Sequence, residues 1–132
     1  MCFFQASTDL FAEEIVVAVQ KNSVPTTPIK RYVMSTIFAM GMTTWPDGSS
    51  IRVFVLADNN PTHSNFCKQV LNVFPHQLRA AWDRLVFSGT GQSPIVVSSE
   101  NEMRERLAAT PGAIGYLPKE TVNDSVAILP VE

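Results

Sequence analysis

Two cysteines in 132 residues, Cys2 and Cys67, are too few for a disulfide framework. A zinc site needs about four N or S ligands at short spacings, and adding the distant His63 and His76 does not supply one. No run of about 18 apolar residues occurs, so no segment reads as membrane-spanning. A basic excess is also missing. Lys and Arg total 10 against 12 Asp and Glu, a net charge of −2, which argues against a nucleic-acid backbone as partner. Charged residues make up only 17%, against roughly 25% in a typical soluble domain. Paired carboxylates placed for acid–base work are absent as well: Asp47, Asp58, Asp83 and Asp124 each sit in a turn or on a helix face that explains them. These shortages point away from an enzyme, a metalloprotein or a cofactor carrier.

What the chain does have is apolar residues, 45% of the total, enough for one globular domain to bury roughly two-thirds of its unfolded surface unaided. Residues 1–12, MCFFQASTDLFA, are mildly apolar and end in Ala before Glu13-Glu14, which reads as the remnant of a secretory signal ahead of a domain over 13–132. Ile15 to Val19 is a continuous β-branched run, the pattern of a strand covered on both faces. Thr26 or Thr27 would cap a helix with Pro28 at its first position and a stripe of Ile29, Val33 and Ile37, ending near Gly41. WPDG (45–48) is a turn, and Ile51 to Leu56 a second strand. Cys67, Val70, Leu71 and Phe74 mark the buried face of a helix, and Leu78, Trp82, Leu85 and Val86 that of another after Pro75. SGTGQSP (88–94) is an exit loop and Ile95 to Val97 a short strand. Ser99 with Glu102 forms a capping box, followed by Glu100–Arg104 and Glu102–Arg106 pairs. AIGYL (113–117) and VAILPV (126–131) are the last strands. The alternation predicts one α/β domain with a largely parallel sheet and helices on both faces.

Chemistry concentrates at the junction 56–64. In open α/β sheets, ligands bind beyond the carboxyl ends of strands, where helix N-termini present free N–H groups to anions. Asp58, Asn60, Thr62, His63 and Ser64 are therefore the candidate ligand-binding residues, although the plainer reading of the residues alone is that Asn60 or Thr62 simply caps the helix. His63 and Cys67 are four apart and can touch, yet Cys67 lies on an apolar stripe where thiols are inert. Trp45 and Trp82 read as core, and Tyr116 at a strand end as either core or cleft.

Several phrases taken together, TIFAMGMTTWPDGSSIRVFVLADNN, WDRLVFSGTGQSP, TPGAIGYL and VAILPV, resemble the phosphate-binding proteins of phosphate ABC transporters, and in particular their small single-lobe relatives. The resemblance runs from about Glu14 to the end. It implies one lobe of a type 2 periplasmic binding protein, a periplasmic location and a small inorganic oxyanion such as phosphate as ligand, without catalysis. A homodimer could then rebuild a two-lobed cleft. In those receptors the junction carries Arg, then Asp, then Ser-Gly-Thr. Here Leu56 stands at the Arg, Asp58 at the Asp, Asn60 at the Ser, Pro61 at the Gly and Thr62 at the Thr, so only Asp58 and Thr62 are kept. A missing Arg removes charge-assisted bonds worth about 1.5–3 kcal/mol each. Weak anion binding follows as the expectation, with a ligand-free interaction or sensory module docking an envelope protein as the alternative.

Overall fold

The β-branched run after Glu13-Glu14 forms β1 (Ile15–Gln20), in a computed structural model that describes residues 13–89 and 91–132. The expected signal remnant at 1–12 lies outside the described residues. There follow α1 (Arg31–Phe38), β2 (Arg52–Leu56), α2 (Pro61–Phe66) running into a π-helical turn (Cys67–Leu71), and α3 (Pro75–Ser88). Then come β3 (Ile95–Val97), α4 (Glu100–Ala109), β4 (Ala113–Pro118) and β5 (Val126–Leu129). The sheet has the order β3-β2-β4-β1-β5. β2 pairs in parallel with β3 and β4, whereas β1 is antiparallel to both β4 and β5, so four strands share one direction. The α/β, largely parallel expectation holds. The reversed β1 was illegible in its run, because a strand covered on both faces has the same composition in either direction.

Alternate residues of β4 show what covers each face. Gly115 meets α4 so closely that a Cβ there would stand 2.6 Å from Met103 Sδ. Tyr116 faces the other way, stacked on Phe66 of α2 at 4.0 Å, with Phe38 of α1 packed edge-on against Phe66. Trp82 Nε1 donates to the Phe38 carbonyl and fastens α3 to α1 on that side. Both tryptophans are core, as expected.

Several local expectations are corrected. α1 starts at Arg31, not after Thr26 or Thr27, because the backbone of Ile29 bonds to Pro130 and Glu132 and so is not free for a helix. Phe74, predicted buried, is exposed: the wider π turn and the left-handed Asn72 after it break the 3.6-residue period. Val86 is likewise exposed. Ser99 caps α4, but Glu102 reaches back one residue further than a capping box requires, to the amide of Ser98. Glu102 pairs with Arg106, whereas Arg104 turns to Asn101 and the Thr121 carbonyl instead of Glu100.

Gly112 ties three segments together. Its carbonyl accepts from Trp45 Nε1 and Arg52 N–H, and its own N–H donates to Ser23 Oγ. Its φ is +76°, and a Cβ would lie 2.3 Å from the Ser50 carbonyl oxygen, whereas Gly48 at φ +90° has open space. Gly48→Ala should cost about 1 kcal/mol, the left-handed penalty alone, and Gly112→Ala about 3 kcal/mol or more in urea denaturation. Equal losses would show that the close approach to Ser50 is unimportant.

Candidate functional site

β2 ends at Leu56, and the turn that follows closes with Asn60 N–H on the Ala57 carbonyl. Pro61 opens α2 at the position where a missing N–H costs nothing. Asn60 Oδ1 accepts the Thr62 amide at 2.8 Å, and the Asn60 carbonyl accepts the Ser64 amide, so the cap reading of Asn60 is realised. β3 is the parallel neighbour of β2, with Leu56 opposite Val97, and leads through Ser98-Ser99 into α4. The chain then crosses back to β4 on the far side of β2. α2 and α4 therefore start side by side on opposite faces at the carboxyl edge, the switch point where ligands of open α/β sheets bind. Thr62 joins them: its hydroxyl donates to Glu100 Oε2 at 2.5 Å.

His63 turns the other way. Its ring is fully buried, with Nδ1 2.5 Å from the Tyr116 hydroxyl, whose oxygen also accepts the Leu56 N–H at 2.8 Å. The buried phenol O–H needs an acceptor, and among the described residues Nδ1 is the one within reach, so the hydroxyl donates to Nδ1 and His63 carries its own hydrogen on Nε2. Nε2 looks toward Cys67 Sγ at 3.7 Å and Asp58 Oδ1 at 4.0 Å. Burial pushes the imidazole below its ordinary pKa, opposed by the Asp58 charge and aided by Arg79, so the ring is neutral near pH 7. Burial likewise raises the Cys67 thiol to about 11 and moves the Tyr116 phenol upward. His63 and Cys67 do approach, but no thiolate is available for nucleophilic chemistry.

Asp58 is held by Arg79 through two bonds of 2.8 and 3.2 Å, which keep its carboxyl below the usual range. Arg79 also lies over the Trp82 ring, 5.1 Å from its centroid. Of the five sequence candidates, Asn60, Thr62 and the half-buried Ser64 form the α2 start, Asp58 sits in an ion pair beside it, and His63 anchors the segment from below. Tyr116, which read as either core or cleft, is core with its hydroxyl on His63 and Leu56, and two residues that shape this edge were missed, Glu100 and Arg79. Only Glu100 carried a usable signal, as an acid directly after a Ser cap at the second strand-to-helix junction.

Tyr116→Phe leaves the buried Leu56 N–H and His63 Nδ1 without partners and should cost about 2 kcal/mol in urea denaturation. The unfolded chain protonates His63 first, since the folded pKa is the lower one. Stability is therefore full above about pH 6.5 and falls as pH drops from there toward the folded pKa. Denaturation between pH 7.5 and 5.5 should show this slope in the parent and a flatter profile in His63→Gln; identical slopes would place the titrating group elsewhere.

No family model matches the chain, and no curated protein matches its sequence. Solved structures do. An ABC-type phosphate transport receptor from Vibrio cholerae superposes with a TM-score of 0.70 at 16% identity, over 90% of this chain and 46% of the receptor. PstS from Borrelia burgdorferi gives 0.68 at 19% identity, over 91% and 47%. A Clostridium perfringens protein assigned as a phosphate ABC transporter substrate-binding protein, solved with bound phosphate, gives 0.68 at 16%, over 99% and 52%. This chain thus spans about half the length of the structures it matches, and its architecture is that of one lobe of a type 2 periplasmic binding protein.

Proposed function

We propose that this domain is a solute-binding module of the periplasm whose ligand is a small oxyanion such as phosphate, held weakly where α2 and α4 begin. The observation that carries this reading is the Thr62–Glu100 bond: the first turn of α2 already holds the oxygen of a carboxylate. A helix start that accepts an internal oxyanion has the polarity to accept an external one. The same bond accounts for weakness, because an incoming anion must displace Glu100 from the Thr62 hydroxyl. With Asn60 on the Thr62 amide and Pro61 lacking an N–H, side-chain hydroxyls and amides would carry the contact. Asp58 would act by holding Arg79 beside the site, and His63 by fixing the helix from beneath. The structurally similar phosphate transport receptor and the similar protein solved with bound phosphate support the choice of ligand class.

A second reading has its own support. Thr62 has a protein partner on both its amide and its hydroxyl, as expected of a lobe that keeps its shape, binds no solute and docks an envelope protein. Melting the protein in phosphate separates the two. If Kd is on the order of 1 mM, 10 mM phosphate adds about 1.4 kcal/mol and raises Tm by about 5 °C. Glu100→Gln removes the competing charge and should tighten phosphate about tenfold, while Thr62→Val should abolish the shift. Flat melts in both the parent and Glu100→Gln would overturn the anion reading and leave the docking module.

A further inference from the structure

We infer that the outer face of α3 is a self-association surface, on which Phe87 of one copy seats in the apolar groove beside α1 and α3 of a second copy, and reciprocally. This rests on a face distinct from the 56–64 junction and does not depend on the ligand reading. Phe87 is 96% exposed in the last turn of α3, and Val86 beside it is 53% exposed. Together with the apolar recess that it borders, this ring makes a contiguous exposed apolar patch, and such patches mark interaction sites. The ring stands at the rim of a groove of about 590 Å³ lined by Ala39, Gly41, Ala81, Leu85 and Arg84. Projection and recess thus share one patch, the condition for a two-fold interface in which each copy fills the other.

The charges around the patch favour a second copy as occupant. Arg84 lines the groove and has no acidic partner among the described residues. It therefore suits a visitor that brings an aromatic ring and a carboxylate together. The chain presents that pair itself: Asp83 lies four residues before Phe87 on the same helix face and stays exposed, although Arg79 approaches it at 3.6 Å. In the two-fold arrangement the Phe87 ring enters the groove, where Arg84 covers it, and Asp83 meets the same guanidinium. With one ring and one ion pair contributed by each copy, the dimer is weak, with Kd on the order of 100 µM.

Sedimentation velocity on the full chain from ~10 µM to ~1 mM tests this across the expected Kd. The parent should pass from monomer to dimer. Phe87→Ser should raise Kd at least tenfold with Tm unchanged, since Phe87 is 96% exposed in the monomer. Asp83→Arg and Arg84→Asp should each weaken the dimer, and the two together should restore it. A parent that stays monomeric at ~1 mM, a Phe87→Ser variant that associates like the parent, or a double exchange that does not recover association overturns the proposal.

Discussion

At the carboxyl end of β2 the sheet opens a gap that one oxygen atom fills. The β2–β4 ladder pairs Arg52 with Ala113 and Val53 with Ile114. Leu56, nearly inaccessible to solvent, gives its N–H to the Tyr116 hydroxyl instead. That hydroxyl donates a hydrogen bond to His63 Nδ1, so the last backbone donor of a buried strand and the first turn of the next helix close on the same phenol. An orphaned amide in that position would cost a sizeable fraction of the stability of a domain this size. The aromatic stack of Tyr116 on Phe66 holds the phenol in place from the side. The position and pitch of α2, and therefore everything at the junction, depend on this contact between β4 and His63.

That dependence separates what could be read in the sequence from what could not. Strands, turns and core tryptophans announce themselves through local composition: β-branched runs, WPDG, a Gly that ends α3 at φ +74°. The strand-to-helix junction at 56–64 was equally legible, because Pro61 and the Asn60 cap are local signals. The direction of His63 was not. Its neighbours in the chain are polar, and its buried partner Tyr116 lies 53 residues away. Glu100 and Arg79 escaped for the same reason: their partners Thr62 and Asp58 sit 38 and 21 residues distant. Phe74 misled because the π turn at Cys67–Leu71 shifts the helix phase, and nothing in the apolar spacing announces that shift.

Connectivity and charge act on the junction separately. Helix starts at a parallel edge follow from connectivity alone, so α2 and α4 converge beside Leu56 and Val97 whatever side chains they carry. The charges there are a separate layer. Asp58 is neutralised by Arg79, His63 is uncharged by burial, and Glu100 brings a negative charge to the place where the helix ends favour one. The edge satisfies its own polarity with protein groups, the Glu100 carboxylate on the Thr62 hydroxyl among them.

Solvent decides how much that substitution matters. An ion pair at 4 Å is worth about 1 kcal/mol in water and about 4 kcal/mol at the effective dielectric of a partly covered protein surface. On the proposed reading, a ligand resting on one lobe would keep water on its far side, and each contact to Thr62 or to a nearby hydroxyl would be discounted accordingly. The solved structures that share this fold are about twice as long as this chain. A facing wall that excluded water would multiply every contact at the junction at once, whereas a single substitution at Thr62 or Glu100 changes one. On the proposed reading, affinity at this edge would be governed first by what faces it, and only then by which side chains line it.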